Sequence, residues 1–151
     1  RSSAASDVYK RQAPARKAFY WGYMGGGAFC QETTRITPIT VRNVPGRGAV
    51  AVASASHLDA ATTNWLVDHQ ISQTTSIGSS LKFALIASGQ ADVYPRFGAT
   101  MEWDTAAGDA ILRAAGGTVR HPDGKIYHYG KQGYRNTPFI AYGKLTPATN
   151  A

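Results

Sequence analysis

The chain has one cysteine and nine acidic residues against sixteen basic ones. The lone Cys30 excludes an internal disulfide and any site built from several thiolates, and it fits a reducing compartment. No activating partner lies close to it in sequence, so it reads as a small, half-buried hydrophobe rather than a nucleophile. No stretch approaches the roughly 20 apolar residues that a membrane-crossing helix requires. Repeats and low-complexity tracts are also missing, which argues against a solenoid or a disordered linker. The shortage of acids leaves a formal charge of +7. The basic residues are scattered, however, and there is neither a zinc-finger spacing nor an RNP-like aromatic run. A phosphorylated small molecule is therefore favoured over a nucleic acid as partner.

What is present suits one globular unit: 151 residues, of which 43% are hydrophobic, enough to bury a core. The first twelve residues have neither helical nor strand periodicity and no apolar segment of the secretory kind. The run Asp7-Val8-Tyr9-Lys10-Arg11-Gln12 resembles the translated end of a transposon-type sequencing adaptor, so residues 1–12 are set apart from the fold. Leaving out Arg1, Lys10, Arg11 and Asp7 removes a net +2 from the +7 and leaves the remainder basic, at about +5.

From residue 13 onward, Phe19, Tyr20, Trp21, Tyr23 and Phe29 surround Gly25-Gly26-Gly27. This predicts a hairpin with a glycine turn; the Lys-Ser/Thr ending of a phosphate loop is missing. Residues 36–44 predict an edge strand, broken at Pro45-Gly46. Residues 49–53, Ala-Val-Ala-Val-Ala, predict a buried parallel strand. It leads to Ser54-Ala55-Ser56-His57 and a helical stretch over 58–69. The carboxyl end of such a strand is where α/β folds place ligands, although His57 serves equally well as a helix-entry residue bonded to backbone.

Residues 71–77 predict another strand, and Gly78 the entry to a helix over 79–88. Ser79 and Ser80 bring hydroxyls to the helix mouth and Lys82 a charge to its first turn, a combination suited to anions. The plain alternative is a serine cap with a solvated lysine. Residues 91–94 predict the next strand, ended by Pro95. Arg96 then sits on a turn, free to hold phosphate or a purine, or to pair with Asp92 or Glu102.

The run Met101-Glu102-Trp103-Asp104-Thr105-Ala106-Ala107-Gly108 follows. A helix is predicted over 105–115, stopped by Gly116-Gly117, with Asp104 at its mouth. There the carboxylate can cap free amides. Alternatively it faces a phosphate or hydrated cation, in space left by Ala106, Ala107 and Gly108. Asp109 reads as a surface or helix-stabilising acid. Strands are predicted at 118–119, 126–129 and 139–142, with Pro122-Asp123-Gly124 as a turn and Lys131, Arg135 and Asn136 as solvated loop groups.

Residues 73–117 closely resemble the C-terminal half of CysQ-type 3'(2'),5'-bisphosphate nucleotidases in the inositol monophosphatase-like superfamily, with weaker similarity over 13–142. Trp-Asp-x-Ala-Ala-Gly marks the superfamily, while "GSSLKF" and "YPRFG" point to the nucleotidase branch. The fold implied is α/β, the C-terminal half of an αβαβα layered sandwich. Residues 13–48 would end the N-terminal phosphatase domain, 49–145 would form the nucleotide-binding subdomain, and 146–151 a tail. The activity implied is Mg²⁺-dependent removal of the 3'-phosphate of adenosine 3',5'-bisphosphate to give AMP, in a cytoplasmic bacterial enzyme, with peripheral association at the inner membrane left open.

By resemblance Asp104 is a metal ligand. Ser79, Lys82 and Arg96 match residues holding the nucleotide, with Ser80 beside them. Ser56 and His57 match a Ser-Arg-Ser-His segment in which Ala55 here replaces the arginine. The family's other metal ligands, a Glu and an Asp-Pro-x-Asp-Gly element, come before the matched region. His121-Pro122-Asp123-Gly124 stands in the wrong order to be that element. This chain alone is therefore expected to have little or no activity. An inositol monophosphatase-type sugar phosphatase and a non-enzymatic basic nucleotide-binding fragment are the competing readings.

Overall fold

The structure is a computed structural model that describes residues 9–13, 18–53, 58–77 and 81–145. Four strands come first: β1 (Tyr9–Ala13), β2 (Ala18–Tyr23), β3 (Gly27–Glu32) and β4 (Arg35–Ile39). They pair antiparallel in the order β1-β2-β3-β4, so residues 9–12, set apart from the fold in the sequence, pair with β2 as part of the sheet. The aromatic hairpin is β2–β3, turned through Met24, Gly25 and Gly26, with Gly25 and Gly27 both at positive φ, a conformation glycine adopts without steric cost. Alternation along β2 buries Ala18 and Tyr20 on one face. The expected edge strand is β4, exposed along most of its length, and Gly48 N–H closes a turn on Pro45 O at 2.9 Å.

The second sheet holds β5 (Val50–Ala53), β6 (Gln73–Ser76), β7 (Val93–Arg96), β8 (Thr118–Arg120) and β9 (Phe139–Tyr142), in the order β6-β5-β7-β9-β8. The pairings of β5 with β6 and with β7 are parallel, and β9 runs antiparallel to both β7 and β8. Pro95 lies inside β7 rather than ending it. The pairing with β5 reaches β7 only at Ala51–Val93, so a proline beyond it costs no ladder bond on that side. The strand expected at 126–129 reduces to a single bridge between Arg120 and Ile126.

Three helices complete the chain: α1 (Ala60–Asp68), α2 (Lys82–Ala87) and α3 (Glu102–Ala114). The period of two in the central strands divides their side chains between two cores. Val52, Tyr94, Phe139 and Ala141 join Phe83, Leu85, Ile86, Ile111 and Leu112, together with Tyr20 and Ala28 from the first sheet. Ala51, Val93, Ile140 and Tyr142 instead meet Trp65 and Leu66 of α1. Helices α2 and α3 thus form a layer between the sheets, with α1 on the far side of the second sheet. The α/β layering expected from the sequence is present here as four layers.

Helix α2 is buried all round, as a helix between two apolar surfaces must be. Helix α3 approaches its neighbours through glycine. A Cβ on Gly108 would stand 2.7 Å from Phe83 Cδ2, and one on Gly22 of β2 would stand 2.9 Å from Ala114 Cβ. The chain leaves α3 at Gly116, with φ +93°, where Gly117 N–H donates to Leu112 O at 2.9 Å, a glycine stop. Among the described residues no helix is long and apolar enough to cross a membrane.

Candidate active site

The three parallel strands end together, and each leads directly into a stretch singled out in the sequence. After Ala53 of β5 come Ser56 and His57; after Ser76 of β6 come Ser79, Ser80 and Lys82; and β7 ends at Arg96 and leads to Asp104. Ser56, His57, Ser79 and Ser80 lie outside the described residues, while Lys82, Arg96 and Asp104 are described. The loops at the carboxyl edge of a parallel sheet form the crevice in which α/β proteins hold ligands.

Lys82 opens α2. It is no solvated outer-face residue: only 5% of it is exposed, and its Nζ stands 5.5 Å from the centre of the Tyr94 ring. Burial pushes its ammonium below the ordinary lysine range, and the positive charge of Arg96 adds to the effect. Tyr94 is within the influence of both cations. Its hydroxyl is pushed up by burial, against the opposing pull of the Arg96 charge and an Arg96 hydrogen bond.

Arg96 is the last residue of β7 rather than part of a turn. Its Nη2 reaches Ala99 O at 3.4 Å, and its Nε is buried without a hydrogen-bond partner. Neither alternative partner takes it. Asp92 accepts from Arg42 Nε at 2.9 Å and Nη2 at 2.7 Å, and Glu102 pairs with Lys131 at 2.6 Å. Asp59, the cap of α1, accepts from Thr62 N–H at 2.7 Å through Oδ1. Its other oxygen and the Arg96 guanidinium both border Gly98.

Asp104 sits one turn further into its helix than expected. Helix α3 begins at Glu102 after Met101 as N-cap, so Asp104 is the third helical residue and Trp103 belongs to the first turn. The Asp104 carboxylate folds back to accept the Met101 N–H at 3.0 Å, half of a capping box. The capping role is therefore real, though exercised from inside the helix. Gly108 is not spare room beside the carboxylate, because Phe83 fills that side. Asp109 is buried rather than on the surface, and pairs with Arg113 at 2.6 Å.

Sequence reasoning passed over a second cluster that the fold builds around the same turn. Glu102 is buried, and its oxygens accept from Gly130 N–H at 2.9 Å, Lys131 N–H at 3.0 Å and Lys131 Nζ at 2.6 Å. The Lys131 contact first, then these amide bonds, hold its carboxyl down at about 2. Lys131 Nζ also lies over the rings of Tyr127 and Tyr129, at 4.6 and 5.2 Å. Asn136 is buried as well, so neither Lys131 nor Asn136 is a solvated loop group. His121-Pro122-Asp123-Gly124 is the turn it was read as, closed by Gly124 N–H on His121 O at 2.9 Å.

The fit to a divalent cation is limited. Asp104 supplies a carboxylate with one oxygen engaged by Met101, and no group of three potential His, Cys, Asp or Glu ligands occurs among the described residues. These residues alone do not make up a complete cation site.

Residues 12–150 match the model of the inositol monophosphatase family. The chain belongs to that family. It is 47% identical over 117 residues to the 3'(2'),5'-bisphosphate nucleotidase CysQ of Salmonella typhimurium, covering 78% of this chain and 46% of that protein. It is 57% identical over 86 residues to an uncharacterised protein in the pss 5' region of Rhizobium leguminosarum, covering 53% of this chain and 90% of that one. Among solved structures, CysQ from Bacteroides thetaiotaomicron superposes with a TM-score of 0.80 at 32% identity, over 92% of this chain and 58% of that chain. The chain spans about half the length of the curated nucleotidases it matches. It carries part of the family fold.

Proposed function

We propose that this chain is the nucleotide-holding portion of a Mg²⁺-dependent phosphatase that removes the 3'-phosphate of adenosine 3',5'-bisphosphate. The observation that carries this reading is that Lys82 and Arg96 both bear on Tyr94 at the carboxyl edge of the parallel strands. Lys82 is buried and both it and Arg96 bring positive charge to Tyr94, so this edge is cationic and suits an anionic group. A phosphate group is such an anion, and the arginine fork suits its oxygens. Ser79 and Ser80, just before Lys82 in sequence, would add hydroxyl donors, and Ser56 and His57 would approach from the end of β5.

Asp104 would supply one oxygen ligand to Mg²⁺, which prefers such hard donors. When bound, the metal would polarise the phosphate and activate water. Its remaining ligands would come from residues other than those described, in agreement with the family's placement of a Glu and an Asp-Pro-x-Asp-Gly element ahead of the matched region. The chain by itself would then have little or no activity.

The test is magnesium-dependent phosphate release from adenosine 3',5'-bisphosphate and from inositol 1-phosphate. It compares this chain with the same chain joined to the N-terminal half of the Salmonella typhimurium protein. Release from the nucleotide by the joined chain only, and its loss in Asp104→Asn, is the expected result. Robust release by the unjoined chain would refute the missing-ligand argument. A preference for inositol 1-phosphate would replace the nucleotide by a sugar phosphate.

A further inference from the structure

The first turn of α3 has little local support beyond the Asp104 carboxylate on the Met101 N–H. Its N-cap is Met101, which makes no side-chain capping bond, and residues 97–100 before it have no regular structure. The Asp104 carboxylate is nevertheless aimed from this turn. The support comes from residues 130–136, far along the sequence. Asn136 N–H donates to Thr100 O at 2.9 Å, and Arg135 bridges to Met101. The Asn136 side-chain amide lies 2.8 Å from Met101 O, 2.9 Å from Thr100 Oγ1 and 3.0 Å from Thr105 Oγ1. An amide has only two hydrogens to share among these three acceptors.

Glu102 completes the connection by accepting from the two consecutive backbone amides Gly130 and Lys131 and from the Lys131 ammonium. The loop is wound to present these donors. Gly130, Gly133 and Tyr134 all have positive φ, 87°, 70° and 55°, and a non-glycine residue in that region signals a constraint imposed by its surroundings.

We propose that Glu102 and Asn136 are positioning residues, which with Lys131 brace the first turn of α3 against residues 130–136 and so fix the direction of the Asp104 carboxylate. Groups of this kind govern a site without touching the reacting atoms, and removing them costs roughly 10- to 100-fold in ligand affinity or activity where they orient a metal ligand.

Two readouts test the brace, and only the kinetic one rests on the phosphatase reading. Hydrogen–deuterium exchange of amides 101–105 in this chain should accelerate at least tenfold in Glu102→Ala and Asn136→Ala. In the chain joined to a family N-terminal half, kcat should fall by roughly 10- to 100-fold with KM for the nucleotide changed less than about twofold. Glu102→Gln keeps an oxygen for the two amides and should recover most of that loss. Asp92→Asn, whose partners are Arg42 and Val50 rather than the first turn of α3, should lower stability without moving kcat, which separates positioning from general loosening.

Unchanged exchange at 101–105 in the alanine variants would overturn the proposal, as would faster exchange with kcat intact. If the joined chain releases no phosphate before any substitution, the phosphatase reading fails and exchange alone decides the brace. Where an alanine variant does not fold, Lys131→Met takes its place, and the same two outcomes apply to it.

Discussion

Arg42 and Asp92 form a two-pronged ion pair, Nε to Oδ1 at 2.9 Å and Nη2 to Oδ2 at 2.7 Å, that ties the chain leaving the first sheet to the start of β7. Asp92 Oδ2 also accepts the Val50 N–H at 2.7 Å, so one carboxylate joins three segments. Asp92 is 1% exposed and Arg42 27%. Removing the buried partner strands an amide donor and a half-buried guanidinium together.

Asp92→Ala should therefore destabilise the protein by about 3 kcal/mol, the low end for breaking a buried pair, because Arg42 can still reach water. Arg42→Ala should cost less. Chemical denaturation of both variants checks the order.

Gly108 poses the question of sign. Alanine in a helix interior is intrinsically better than glycine by about 1 kcal/mol. The added Cβ, however, would lie 2.7 Å from Cδ2 and 3.0 Å from Cβ of Phe83. That ring is stacked on Phe139 at 5.8 Å and set edge-on to Tyr94 at 5.5 Å, so it cannot swing away. Overpacking costs about 1–3 kcal/mol and outweighs the propensity gain. Gly108→Ala should lower the melting temperature, and pairing it with Phe83→Leu should recover part of the loss.

The elements that depend on local pattern were legible in the sequence: the aromatic hairpin, the buried strand at β5, the helices and the glycine stop after α3. The sequence also placed Lys82, Arg96 and Asp104 at or after the ends of the parallel strands β6 and β7, which is where they lie. The brace was not legible. Glu102 and Lys131 are 29 positions apart, and nothing local to Lys131, Arg135 or Asn136 separates them from solvated loop residues. Of the two readings of Asp109, the helix-stabilising one holds and the surface one fails, for a similar reason. Its partner Arg113 lies on its own helix, but its burial comes from packing, which no helical period reveals in a stretch rich in alanine.

The Glu102 carboxyl gives a pH signature. Its ordinary value is 4.5, and in the fold it is held at about 2. A depressed carboxyl contributes stability above its unfolded value and loses that contribution as pH falls toward the folded value. The fold should thus weaken progressively between pH 4.5 and about 2, and Glu102→Gln should flatten the profile within that window. An identical pH dependence in the variant would show that Glu102 gains nothing from Lys131.

Tyr127 offers the opposite case, a polar atom that the fold does not use. Its ring packs against Phe139 and Tyr129, with centres 5.5 Å away in each case, yet its hydroxyl is buried without a hydrogen-bond partner. Burial, chiefly, pushes that hydroxyl above the usual tyrosine range. Tyr127→Phe keeps the ring and removes the stranded group, and should raise stability by about 1 kcal/mol. A loss of similar size would mean that the hydroxyl is bonded in solution.

The last prediction concerns Lys82, where stability and ligand binding pull against each other. Its ammonium is depressed by burial and by Arg96, so the charged form weakens the fold. That penalty is complete below the folded value and disappears as pH rises toward the ordinary lysine value of 10.5. Lys82→Met keeps most of the stem beside Tyr94 and removes the charge, so it should be more stable than the parent at neutral pH. Were Lys82 only a misplaced surface group, that gain would carry no cost. If it holds phosphate, the same substitution removes a charge-assisted bond worth about 1.5–3 kcal/mol. Adenosine 3',5'-bisphosphate should then bind at least about tenfold more weakly. Calorimetric titration of the chain joined to its N-terminal half, beside thermal melts of both forms, reads the two effects separately. Greater stability with undiminished nucleotide affinity would remove Lys82 from the binding site and leave Arg96 as the remaining described cation there.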